Sequence, residues 1–151
     1  MTYSPTTVAN YFILRKSHLG KLTPMKILKL TYLSYAWYLA LTDGKPLFRE
    51  QPEAWKFGPV FPTLYSSMKL YGSTEIYTAL PNKNEEFINE SDAKFLEKIW
   101  DIYGKFTGVE LSALTHKPDT PWSKTYHEGC NNIIPDNVIL EHYKNQLIKT
   151  S

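Results

Sequence analysis

The sequence has one cysteine, Cys130, in 151 residues. A lone thiol cannot close an internal disulfide, so no crosslinked framework replaces a core, and the chain fits a reducing compartment. An excess of one charge is also missing. The 17 Lys and Arg residues against 15 Asp and Glu leave +2. The two signs are interspersed, without the like-charge blocks of a nucleic-acid arm or a membrane patch. Long hydrophobic runs are absent. The richest stretch, Ile27 to Leu41, is broken by Lys29, Thr31 and Ser34 and falls short of the about 20 apolar residues of a membrane span. Met1 to Asn10 is polar and has no leader-like pattern. There is no Walker loop, GxGxxG, GxSxG, CxxC or HxxxH, so the usual phosphate, nucleophile and zinc signatures are unsupported. The expectation is a cytoplasmic protein with no membrane, metal or cofactor.

What is present is an ordinary globular balance, 42% apolar and 21% charged, with an aromatic share of 15%. Residues 1–151 suffice for one domain with its own core. Aromatics bury large areas, and Tyr and Trp also suit interfaces.

Ten prolines would ordinarily oppose helices, but half of them sit where a helix begins. The first helical position has no N–H to lose, and a preceding Ser or Thr caps the end. Ser4-Pro5, Thr23-Pro24 and Thr120-Pro121 have this form; Phe61-Pro62 and Ile134-Pro135 have the proline without the capping side chain. Gly20, Gly44, Gly72 and Gly104 each follow an apolar segment, as left-handed C-caps do. Ser91 precedes another start, and Thr107 with Glu110 has capping-box spacing.

The result is a mainly α chain, a single compact bundle of about seven helices. They run near Pro5–Ser17, Pro24–Thr42, Pro62–Tyr71, Asp92–Tyr103 and Gly108–Thr115, then from Pro121, and from Pro135 to Ile148. The second is apolar nearly all round and belongs at the centre. Two stretches do not read as helix. Trp55 and Phe57 alternate with Ala54 and Lys56, which predicts a short strand, and Ser73–Leu80 is its natural partner in a small two-stranded, hairpin-like insertion. Pro81–Glu90 reads as an exposed, mobile loop.

Candidate chemistry is sparse. His116, Asp119, His127 and Cys130 could activate a thiolate or bind zinc. Against that, His116 suits a helix C-terminus, and His127 with Cys130 suits an exit turn. The carboxylate pairs Glu85-Glu86 and Glu50 with Glu53 read as solvated or untuned. Lys21, Lys26 and Lys29 open the second helix and invite a nucleic-acid reading, but the near-neutral charge argues against that contact. More unusual is Trp55-Lys56-Phe57-Gly58-Pro59-Val60. Gly58 permits a sharp bend, and Pro59 stiffens the chain after it. The aromatics before that corner either plug the core or anchor a partner.

The run Thr23-Pro24-Met25-Lys26-Ile27-Leu28-Lys29-Leu30-Thr31-Tyr32 resembles the T-P-M-K-L-x-K-L-x-Y pattern of the SocA-like, or Panacea domain, family, also known as phage-associated GepA-like proteins. Glu53-Ala54-Trp55, Gly58-Pro59-Val60 and Tyr65 resemble its E-A-W-x-x-G-P-V-x-x-x-x-Y signature. Leu111-Ser112, Thr115-His116 and Pro121-Trp122 resemble its L-S-x-x-T-H and P-W elements. The resemblance implies an antitoxin, often prophage-encoded, that neutralises a cognate toxin protein by direct contact; at least one member is similar to an adaptor delivering its toxin to a protease. Some members also carry a DNA-binding domain suited to autoregulation. No catalytic residue is implied. Pro24, Lys26, Lys29, Leu30, Tyr32, Trp55, Gly58, Pro59 and Trp122 are expected to be structural motif residues. Trp55, Phe57 and Tyr65 are the candidate partner contacts, and the 81–90 loop is a second candidate surface. The oligomeric state is left open.

Overall fold

A helix that is apolar on every side can be satisfied only by neighbours on every side, and the second helix organises the molecule accordingly. The computed structural model describes residues 2–83 and 86–150. Among these it contains seven α-helices: α1 (Pro5–Lys16), α2 (Pro24–Leu41), α3 (Pro62–Met68), α4 (Glu90–Tyr103), α5 (Gly108–His116), α6 (Pro121–Thr125) and α7 (Asp136–Thr150). Three short strands, β1 (Glu53–Trp55), β2 (Gly58–Val60) and β3 (Asn132–Ile133), complete the fold. The architecture is mainly α. Helix α2 packs against α1, α3, α4, α5 and α7, and Ile27, Leu30, Tyr32, Tyr35 and Leu39 are fully buried on it.

Helix starts follow their local chemistry. Ser4, Thr23, Asn89, Thr107 and Thr120 each accept a backbone N–H of the first turn through the side chain. Thr107 and Glu110 form the reciprocal capping box, at 3.1 and 2.9 Å. Helix α4 starts slightly earlier than the Ser91 signal indicates because Asn89, not Ser91, is the cap. Gly20, Gly44 and Gly72 have positive φ at helix ends, but ψ of 174° at Gly20 and −118° at Gly72 takes those two outside the left-handed cap conformation expected. At Gly104 φ is itself negative, −61°. A Cβ there would lie 2.6 Å from the Trp100 ring, so crowding accounts for this glycine.

The hairpin is real, but its partner is not Ser73–Leu80, which forms no strand. Strand β1 pairs antiparallel with β2, with Trp55 opposite Gly58, and on its other edge with β3, in the order β2-β1-β3. The distant β3 makes a three-stranded sheet of the expected pair. The 73–80 segment instead runs along the surface without regular structure and buries only Ile76 and Leu80. Its backbone is held by Leu22, which accepts from the Ile76 N–H, and by Asn10, which bonds both polar groups of Leu80.

The 81–90 loop is also tied down where it is described. Glu86 accepts from the Ser4 N–H and the Thr7 hydroxyl at 2.8 Å each and pairs with Arg49 at 2.8 Å. It is therefore an internal brace rather than a solvated charge. Glu85 of that carboxylate pair lies outside the described residues.

Candidate functional site: an aromatic cleft beside a clamped hairpin

The hairpin between β1 and β2 turns through Lys56 and Phe57. Neither has positive φ; Gly58 takes the reversal at +122°. The positive φ favours glycine here, and a Cβ at Gly58 would also meet the Lys29 Nζ at 2.9 Å and displace it.

Three side chains hold successive parts of this turn through its carbonyls. The Trp122 Nε1 donates to Trp55 O at 2.6 Å, the Ser112 Oγ to Phe57 O at 3.0 Å, and the Lys29 Nζ to Pro59 O at 2.8 Å. His116 packs edge-on against Trp122 with ring centroids 5.3 Å apart and lies 3.3 Å from the Ser112 hydroxyl. A turn otherwise prone to fray is thereby fixed from α2, α5 and α6 together. Of the three acceptors, Pro59 O is buried, and the Lys29 bond satisfies it.

Lys29 is 2% exposed and Lys26 is 4% exposed. Burial pulls the Lys29 ammonium down to about 7, since among the described residues no carboxylate pairs with it. Lys26 is also pulled down, first by burial and then by Lys21; its Nζ donates to Gly104 O at 2.6 Å and sits 5.0 Å from the Trp100 ring centroid. Both lysines brace the interior, and this corrects the reading of a basic surface at the start of the second helix.

In front of the hairpin lies a cleft of about 470 Å³. Trp55, Phe57 and Tyr65, the three aromatics singled out as partner contacts, all line it. Trp55 and Tyr65 meet edge to face at 5.0 Å, and the Trp55 Nε1 is oriented by Glu53 at 2.9 Å. Phe57 is 67% exposed and Tyr65 39%. Met25, Leu28, Val60 and Met68 supply most of the remaining apolar wall. The motif alone did not reveal Met68 and Lys69, yet they lie three and four residues after Tyr65 and so share its helix face. The same spacing relates Met25 to Leu28 and Lys29.

The candidate histidine–cysteine cluster is not assembled among the described residues. His116 belongs to the hairpin clamp, whereas His127 and Cys130 close an exposed turn through the Cys130 N–H to His127 O bond. Among the described residues no three His, Cys, Asp or Glu side chains gather as a metal site. Glu50 accepts from the Thr63 hydroxyl and Glu53 from Trp55, so that pair is separately engaged.

Fold and site together define a mainly helical protein with an aromatic cleft beside its hairpin. The model of the family "Antitoxin SocA-like, Panacea domain" matches residues 27–123, and the chain belongs to that family. The match runs from α2 through the hairpin to Trp122 and therefore takes in the whole clamp. The chain is 26% identical over 141 residues to a protein named Antitoxin SocA from Caulobacter vibrioides (strain NA1000 / CB15N), with 82% of this chain and 72% of that relative covered. No solved structure matches with significance. No helix among the described residues is long and apolar enough to cross a membrane.

Proposed function

We propose that this chain is an antitoxin of the cytoplasm, working as one non-catalytic domain that neutralises a cognate toxin protein by binding it directly. The observation that carries this reading is the convergence of Trp55, Phe57 and Tyr65 on one exposed cleft in a chain of an antitoxin family. Interface hot spots are enriched in large aromatic side chains seated in well-packed surroundings. The clamp supports the same reading, because a turn already fixed in the free protein loses little freedom on binding.

The test is co-expression with the product of the neighbouring gene. That product should arrest growth alone, be tolerated with this chain, and co-purify with it. Phe57→Ala and Tyr65→Ala should each weaken the complex roughly tenfold or more. They should leave the helical circular dichroism intact, since both side chains are largely outside the core. Absence of both complex and rescue overturns the proposal.

A further inference from the structure

The cleft has a charge as well as a shape. Lys29, Lys56 and Lys69 line it, and no Asp or Glu does. Among the described residues none of the three has a carboxylate within ion-pair distance. Lys56 is exposed and lies over the Phe57 ring, 5.5 Å from its centroid, and the exposed Lys69 follows Met68 in the lining. A protein with +2 overall and mixed surface charge thus concentrates cations of one sign around an otherwise apolar hollow. A hydrophobic ligand alone would gain nothing from these lysines, and nucleic acid would find too apolar a floor for its phosphates. An apolar side chain accompanied by negative charge uses both features.

We infer that the cleft binds a segment of the partner protein that places a large apolar side chain between Trp55, Tyr65 and Met68, with an Asp or Glu beside it facing Lys56 and Lys69. This rests on the reading that a partner protein occupies the cleft, and it specifies which part of that partner enters. The volume of about 470 Å³ lies within the range of roughly 300–1,000 Å³ typical of ligand pockets. That is room for one bulky anchor and part of its neighbour, not for a whole helix. Lys29, almost fully buried in the lining, adds to the same field when protonated. Its amine titrates near 7, so a seated carboxylate would favour the protonated form.

The probe is the full-length product of the neighbouring gene, bound to the full chain carrying Phe57→p-benzoylphenylalanine. Photocrosslinking followed by mass spectrometry should recover one partner peptide with a Phe, Leu, Ile, Met or Trp within two positions of Asp or Glu. Lys56→Glu and Lys69→Glu are exposed changes that leave the core untouched. Together they should weaken the complex by roughly tenfold, and reversing the mapped acid to Lys should restore most of it. The inference is overturned, with the antitoxin reading intact, by a complex that forms without a Phe57 crosslink, by a crosslinked segment that is basic or uncharged, or by a double variant whose Kd stays within roughly twofold. A crosslink to a second copy of this chain, or displacement of the partner by oligo-dT, overturns it equally. Failure of any complex to form, with no rescue of growth, removes both readings.

Discussion

Tyr32 and Tyr35 are one turn apart on α2 and both fully buried, yet their hydroxyls have opposite fates. Tyr35 donates to the Asp136 carboxylate at 2.6 Å. The Tyr32 hydroxyl reaches no partner at full hydrogen-bond geometry, alone among the buried side-chain polar atoms of the described residues, and interacts only weakly with the Tyr143 hydroxyl. Deleting a well-bonded hydroxyl costs more than deleting a weakly engaged one. Tyr35→Phe should therefore lose about 1.5–3 kcal/mol in urea unfolding, while Tyr32→Phe should lose no more than about 1 kcal/mol. Lys29 gives a pH signature. Its folded pKa of about 7 lies below its unfolded value, so between pH 7 and 10 the unfolded chain holds the extra proton. Stability then rises with pH through that window, by up to about 1.4 kcal/mol per unit. The difference between wild type and Lys29→Met, followed by urea midpoints from pH 7 to 9.5, should carry that slope. A flat difference would mean that Lys29 stays charged inside.

At the scale of elements, the helix starts were readable because a cap is a contract among four adjacent residues. Ser4, Thr23, Thr107 and Thr120 each sit just before the turn whose N–H they accept. Thr107→Ala removes half of the capping box and should lower stability by about 1 kcal/mol without changing cleft binding, checked by thermal melts and by affinity for the partner. What the sequence concealed was distant. β3 is two residues long and joins an edge about 80 residues upstream, and no local pattern announces such a pairing. Lys26 and Lys29 were expected as structural motif residues, but how they act was hidden, because their acceptors, Gly104 O and Pro59 O, come near them only once the chain has folded. The aromatic cleft was partly legible, since Trp55, Phe57 and Tyr65 lie within one recognisable stretch; its cationic lining was not, since Lys56 and Lys69 are 13 residues apart in sequence and share one cleft only in the fold.

At the scale of the whole molecule, α2 takes support from both sides of the 81–90 loop. α1 and α3 come from before it, and α4, α5 and α7 from after it. Neither portion alone can cover an all-round apolar helix. Segments 1–83 and 86–151 expressed separately should show little helical circular dichroism, whereas co-expressed they should reassemble and co-purify. Independent folding of either segment would show that the core is divisible.

The sheet order also sets a clock. The hairpin that walls the cleft leaves the ribosome early, but the residues that clasp it from behind, Ser112, Trp122 and the β3 pair 132–133, are made much later. At about 5–20 residues per second, that interval is on the order of 4–15 s. During it a nascent chain already displays Trp55 and Phe57 without the scaffold that orients them. On the function proposed above, the capacity to bind a partner tracks finished chains rather than initiated ones, and a message stalled partway yields product without a formed cleft.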